Sequence, residues 1–226
     1  MPVDFDGDEY FEVGPPTETF TGATVTAWIY SLGDDSDGFR VICTRQEEPP
    51  NDTSNQFLLR TDDGTLLDWR CRNTVGGTVT CSDTITLATW TFLTGSVANG
   101  GKTRLYKNAV LEQEEDFLNL EPTVNNIIVG ADKDGATYAT FWKGEIADVR
   151  VYNRQLTTGE IVTIYNTKGL DNIVDGLVMR LPLNEKVSGT VDTYVQDVSK
   201  NKYTVTPKPT ASDPDYVYTY SNPLRI

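Results

Sequence analysis

The sequence predicts an all-β fold, a two-sheet antiparallel β-sandwich with one short helix near residues 157–166. Three observations predict it. Period-two alternation dominates the chain, tight-turn dipeptides separate the short runs, and only one segment has helical spacing. A chain of 226 residues is long enough to bury one large sandwich core, and such domains reach this size undivided.

Residues 24–30 (TVTAWIY) and 39–44 (FRVICT) read as strands, with the acidic SLGDDSDG between them as a loop. Residues 56–60 and 66–72 are joined by Thr61-Asp62-Asp63-Gly64, whose Asp-Gly step marks a tight hairpin. Asn99-Gly100-Gly101 does the same for residues 90–97 and 102–106. Residues 127–130 and 145–152 complete the middle section. The helix starts at Thr157-Thr158-Gly159-Glu160, a capping-box pattern followed by Ile161, Ile164 and Tyr165 at helical spacing. Beyond Asp175, the pieces LVMRLPL, KYTVTP and YVYTY are strand-like and separated by Pro, Gly, Ser and Asp.

Composition removes several classes of function. Nineteen basic against thirty-three acidic residues give a net charge of −14, which repels phosphate backbones and argues against nucleic acid. No stretch approaches the roughly 20 consecutive apolar residues of a membrane-spanning helix. Histidine is absent, so Ser-His-Asp and Cys-His catalysis and His-ligated zinc are excluded. The acidic opening MPVDFDGDEY lacks the basic and apolar segments of a secretory signal; the expectation is retention in the cell or release by lysis or assembly. Three cysteines make no disulfide framework. Cys71 and Cys81 flank a turn centred near Gly76, and in a simple hairpin they sit opposite each other, as a bridge or, the reading favoured here, as two thiols.

The remaining chemical motifs are weak. Gly100-Gly101-Lys102-Thr103 resembles the end of a phosphate-binding loop, but Ser96 stands where glycine is needed and a strand follows. Glu145-Ile146-Ala147-Asp148 has the wrong spacing for a glycosidase carboxylate pair, and Glu112 to Asp116 (EQEED) reads as an exposed loop or strand edge. Asp132-Lys133-Asp134-Gly135 starts like a calcium-binding loop but has Thr137 where glycine is required, so it reads as a turn. Asn51-Asp52-Thr53 is a glycosylation sequon that carries little weight without a secretory signal.

Phe5-Asp6-Gly7 followed by Tyr10-Phe11-Glu12-Val13 resembles the FDG…DYVEV opening of concanavalin A-like, laminin-G-like jelly rolls. Ala27-Trp28-Ile29, Thr89-Trp90-Thr91-Phe92 and Arg104-Leu105-Tyr106-Lys107-Asn108 resemble later strands of that family. The most specific match is FWKGEIADVRVYNRQLTTGEIVTIY, residues 141–165. The resemblance runs in order from about residue 3 to 167 and departs at the ends. Residues 176–185 (GLVMRLPLNE) resemble the strand that family members place first, and Asp197-Val198-Ser199-Lys200-Asn201-Lys202 resembles the turn after it. Three explanations compete: a stump of a second jelly roll, strand exchange with another copy, and circular permutation. Some fifty residues are too few for a second sandwich. The expectation is one domain over residues 1–226 with 176–226 supplying the strands that relatives place at the N-terminus, and Val3 to Phe5 adjacent to residues 220–226.

The resemblance permits a structural Ca²⁺, for which Asp4, Asp6 and Asp8 are the candidate ligands; the plainer alternative is that Gly7 breaks the strand and these acids cap a turn. It also permits glycan binding, with Tyr138, Phe141 and Trp142 as the candidate stacking platform and Tyr216, Tyr218 and Tyr220 as an alternating row that suits core or interface packing. The function expected is non-enzymatic: a structural or adhesion protein of a larger assembly, such as a virion decoration or fibre protein at the virion or extracellular surface. Its partners would be other copies or other proteins of that assembly, and surface glycans. The alternative is a free-standing carbohydrate-binding lectin-like module, with a glycoside hydrolase as a third and weaker reading.

Overall fold

The structure, a computed structural model, describes residues 3–5, 7–33, 38–46, 55–62, 65–134, 137–183 and 195–208. Strands are numbered along the chain. One antiparallel sheet runs β1 (Val3–Phe5), β14 (Gly144–Tyr152), β3 (Gly22–Ser31), β8 (Trp90–Ala98), β9 (Lys102–Lys107) and β10 (Val110–Asp116), with β15 (Leu177–Leu181) also paired to β14. The other runs β16 (Val205–Lys208), β2 (Tyr10–Val13), β11 (Ile127–Val129), β4 (Phe39–Gln46), β5 (Asn55–Asp62), β6 (Leu66–Arg72) and β7 (Thr78–Thr84). A small hairpin of β12 (Asp132–Asp134) and β13 (Thr137–Ala139) pairs with neither sheet. The two-sheet sandwich is the architecture that the alternation predicts.

Alternation also chooses the core. Val25, Ala27, Ile29, Leu93, Val97, Ile146 and Val149 from the first sheet meet Phe11, Val13, Cys43, Phe57, Leu59 and Trp69 from the second, all fully buried. A buried Val, Leu, Ile or Phe is worth about 1.5–3 kcal/mol, so this layer is the principal favourable term. The fit is close at one point: Trp69 lies flat against Gly95, where an added Cβ would stand 2.1 Å from the indole. The indole N–H donates to Thr103 Oγ1 over 2.9 Å, which satisfies it inside the core.

The outward side of the first sheet is not left wet. Trp28, Phe92, Tyr106, Ala147 and Tyr152 pack against Ile161 and Ile164 of α1 (Thr158–Thr167). Thr157 caps that helix as the sequence predicts: its side chain accepts from the Glu160 amide, and Glu160 accepts from the Thr157 amide in return. Among the described residues no helix is long and apolar enough to cross a membrane.

The C-terminal part of the chain contributes a strand to each sheet. β15 pairs with one half of β14, from Tyr152↔Leu177 to Val149↔Leu181, while β1 pairs with the other half, from Val3↔Ile146 to Phe5↔Gly144. Both are antiparallel to β14, so they run in one direction, end to end, along the same edge. β16 pairs with β2 at the border of the second sheet. Residues 216–226, including the tyrosine row and the expected neighbours of Val3, lie outside the described residues.

Two local readings are corrected. Cys71 pairs with Val79 and Cys81 with Trp69, so the cysteines are diagonal rather than opposite. The Asn73 carbonyl and side chain hold the turn around residues 74–77, which centres the hairpin one residue earlier than Gly76. Asp132 to Asp134 forms strand β12 rather than a turn, because it pairs with β13 in register from Asp132↔Ala139 to Asp134↔Thr137. Gly100-Gly101 is a hairpin turn leading into β9, as expected, and Gly100 has φ 66°, which favours glycine.

Candidate functional site

β2 presents alternate side chains to the two sides of its sheet. Phe11 and Val13 enter the core, whereas Tyr10 and Glu12 face outward beside Ile128, the register partner of Glu12 on β11. The β12–β13 hairpin folds back over this strip and brings Tyr138 onto Tyr10, with ring centroids 4.1 Å apart and planes 21° from parallel. Phe141 joins at 5.9 Å from Tyr10. Ile128 and Ala131 are buried beneath the three rings.

The Tyr138 hydroxyl donates to Glu12 Oε1, a contact between residues 126 positions apart. Burial raises the Tyr138 hydroxyl well above its ordinary 10.0, and the bond to Glu12 raises it further, so Tyr138 remains a neutral donor. Burial, then the Glu12 charge, also raises Tyr10. Lys133, paired with Tyr138 across the hairpin, holds its ammonium 5.4 Å from the Tyr138 ring centroid. Next to this group is a cleft of about 220 Å³, with Glu12, Asn125, Asn126 and Lys133 as polar walls and Pro15, Val124 and Ile128 as apolar ones. Carboxylate, amide and ammonium groups around apolar walls can bond the polar edge of a ligand and cover its apolar face.

The structure thus unites two of the three predicted platform residues and adds Tyr10. Tyr138 and Phe141 are partly exposed. Trp142 is corrected: it is 0% exposed within the central core, and its amide N–H is bonded to Gly130 O at 2.7 Å. Both residues lie in the connection between β13 and β14, where Phe141 joins the outer cluster and Trp142 the central core. Sequence reasoning missed Tyr10, Glu12, Asn126 and Lys133. The outward register of β2 was the one available signal, and it became informative only with the hairpin in place.

The acidic candidates fall elsewhere. Asp4 lies on β1 opposite Glu145, Asp8 follows Gly7 (φ 120°) beyond the end of β1, and Asp6 is outside the described residues. Among the described residues no group of three or more His, Cys, Asp or Glu side chains could hold a metal ion. Glu145 and Asp148 sit on β14 and do not form a catalytic pair: Asp148 is 1% exposed and bonded to Arg150 and Arg180. Glu112 to Asp116 lies on the exposed border strand β10, where Glu114 pairs with Arg104 and Asp116 with Lys102.

With the fold and the cleft described, the comparisons with known proteins place the chain. Residues 5–162 match the concanavalin A-like lectin/glucanases superfamily, and the chain belongs to it. Among solved structures, a candidate carbohydrate-binding protein from Bacteroides ovatus superposes with a TM-score of 0.65 at 19% identity, covering 94% of this chain and 61% of that one. The native heptameric SAP-like pentraxin of Limulus polyphemus gives 0.61 at 17% identity, covering 94% of this chain and 97% of that one. The botulinum neurotoxin serotype D ligand-binding domain, solved in complex with N-acetylneuraminic acid, gives 0.56 at 16% identity, covering 76% of this chain and 43% of that one. At these identities the likeness establishes the fold alone. No curated protein matches the chain.

Proposed function

We propose that this chain is a non-enzymatic carbohydrate-binding module whose glycan site is the cleft walled by Glu12, Asn125, Asn126 and Lys133, with Tyr138 joined to it through Glu12 and Lys133. The observation that carries the reading is the stacked tyrosine pair, 4.1 Å between centroids, beside a cleft with four polar walls. The carbohydrate-binding candidate and the sialic-acid complex among the structural neighbours support it. The dispersal of the acids supports the non-enzymatic part, because glycoside hydrolysis needs two carboxyl groups facing each other across the sugar, and Asp148 is committed to two arginines. Adhesion within a larger assembly, a virion surface included, is the setting that we propose, and the heptameric neighbour is consistent with self-association.

A glycan array followed by calorimetry tests the site, run with calcium and with chelator because the family resemblance permits a structural ion. The expected result is micromolar binding to a defined glycan, weakened about tenfold or more by Tyr138→Ala and by Phe141→Ala and untouched by Lys200→Ala. Absence of binding by the folded protein in both conditions would overturn the site. Recovery of the protein in purified particles would support the assembly setting.

We also propose that the domain is circularly permuted, with residues 176–226 in the role that relatives give to their first strands. The end-to-end arrangement of β15 and β1 on one edge of β14 supports it. Truncation after Asp175 removes the buried Val178, Met179 and Leu181 and should abolish cooperative unfolding. A truncated chain as stable as the full one would refute the proposal.

A further inference from the structure

We infer, on the basis of the glycan-binding reading above, that the cleft selects neutral sugars through their paired hydroxyl groups and rejects anionic ones, with Glu12, Asn126 and Lys133 as the specificity-determining residues. Glu12 accepts from the Tyr138 hydroxyl at Oε1, and its Oε2 accepts no hydrogen bond from a described residue. The Asn126 amide makes no hydrogen bond to a described residue. Lys133 makes no ion pair with a described residue. The ammonium lies on the wall of the cleft beside the Tyr138 ring, where it can donate to a ligand.

Chemistry narrows what that is. A sugar hydroxyl donates and accepts at once, so it can give its proton to Glu12 while accepting from the Lys133 ammonium or the Asn126 amide. Two adjacent hydroxyls use all three groups, and the ring behind them can lie against Pro15, Val124 and Ile128, the apolar walls of the cleft. A carboxylate, sulfate or phosphate on the ligand would gain Lys133 but meet Glu12 in the same small space, against a net charge of −14. A bare cation is turned away by Lys133. The volume of about 220 Å³ lies below the roughly 300–1,000 Å³ of pockets that enclose drug-sized ligands, so it takes one sugar ring at the end or edge of a chain. Tyr138 acts as a positioning residue: its hydroxyl fixes one oxygen of Glu12 and leaves the other for ligand.

The test uses the intact chain and matched oligosaccharides that share one core and are neutral, sialylated or sulfated. Binding is expected for the neutral form, at least tenfold tighter than for either anionic form. Glu12→Gln and Asn126→Ala should each weaken it, Glu12→Gln by about tenfold or more because a charged acceptor is lost, with unfolding midpoints unchanged. Tyr138→Phe keeps the ring, releases Glu12 and should give a smaller loss than Tyr138→Ala. Anionic forms that bind as tightly as the neutral one, or Glu12→Gln without effect, would overturn the inference and leave the glycan site standing. Failure of every glycan to bind the folded protein would remove both.

Discussion

Arg180 Nε donates to Asp148 Oδ1 over 2.8 Å, and this bond fastens the C-terminal strand to the middle of the first sheet. Asp148 Oδ2 also accepts from Arg150 Nη2 at 2.6 Å, and Arg150 reaches both oxygens of Asp171 at 2.8 Å. The side chains of Asp148, Arg150 and Asp171 are each only 1% exposed. Asp148 has φ 47° and sits where the β14–β3 register shifts between Ala147 and Arg150, so a bulge turns its carboxylate toward the two guanidinium groups.

Removing one member of such a network leaves a buried charge uncompensated. Asp148→Ala should therefore cost about 3–5 kcal/mol, measured by urea denaturation against the parent chain. A loss below about 1 kcal/mol would show that water or relaxation replaces the carboxylate at little cost.

The same network makes an acid prediction. Burial pushes Asp171 upward, but the hydrogen bonds and charge of Arg150 outweigh it and lower the carboxyl from 3.8 to about 2. The hydrogen bond from Arg154 lowers Glu160 from 4.5 to about 2, aided by the Thr157 amide. Both folded values lie below the unfolded ones, so their stabilisation is fully present above the unfolded values and is lost as pH falls through about 2. Denaturation midpoints should hold above pH 4.5 and fall between there and pH 2. Asp171→Asn should be less stable at neutral pH and show a shallower fall; an identical slope would remove Asp171 from the account.

Gly95→Ala places a methyl where the Trp69 ring already lies, at 2.1 Å from its nearest atom. Backbone and indole must separate, and overpacking of this kind costs about 1–3 kcal/mol. The change should also shift Trp69 fluorescence and strain its bond to Thr103. Unchanged stability would mean that the sheets slide apart at no cost.

The thiols should be inert in the native state. Burial raises Cys43 and Cys71 well above 9.0 and Cys81 to about 11, which suppresses the reactive thiolate at neutral pH. A disulfide reagent should label none of the three in native protein and all three in denaturant. A Cys71–Cys81 bridge is not expected even under oxidation. Diagonal neighbours in a hairpin stand roughly 7–8 Å apart, with their Cβ atoms somewhat closer, whereas a bridge needs Cβ atoms about 3.5–4.5 Å apart. Mass spectrometry showing that bridge in the folded protein would refute the register.

Some of this protein is written in neighbouring residues. The alternation of TVTAWIY sets which side of β3 enters the core, Asn99-Gly100-Gly101 sets the β8–β9 hairpin, and Thr157 with Glu160 sets the helix start. Each depends on contacts a few positions apart, which the order of residues specifies directly. The tertiary structure alone decided the rest. It paired Cys71 with Val79, turned Trp142 into the core beside an outward Phe141, and set Tyr138 on Tyr10 and Glu12, which lie more than 120 positions earlier. An alternating pattern states that a side chain leaves its sheet, but what it meets outside depends on which distant segment folds over it.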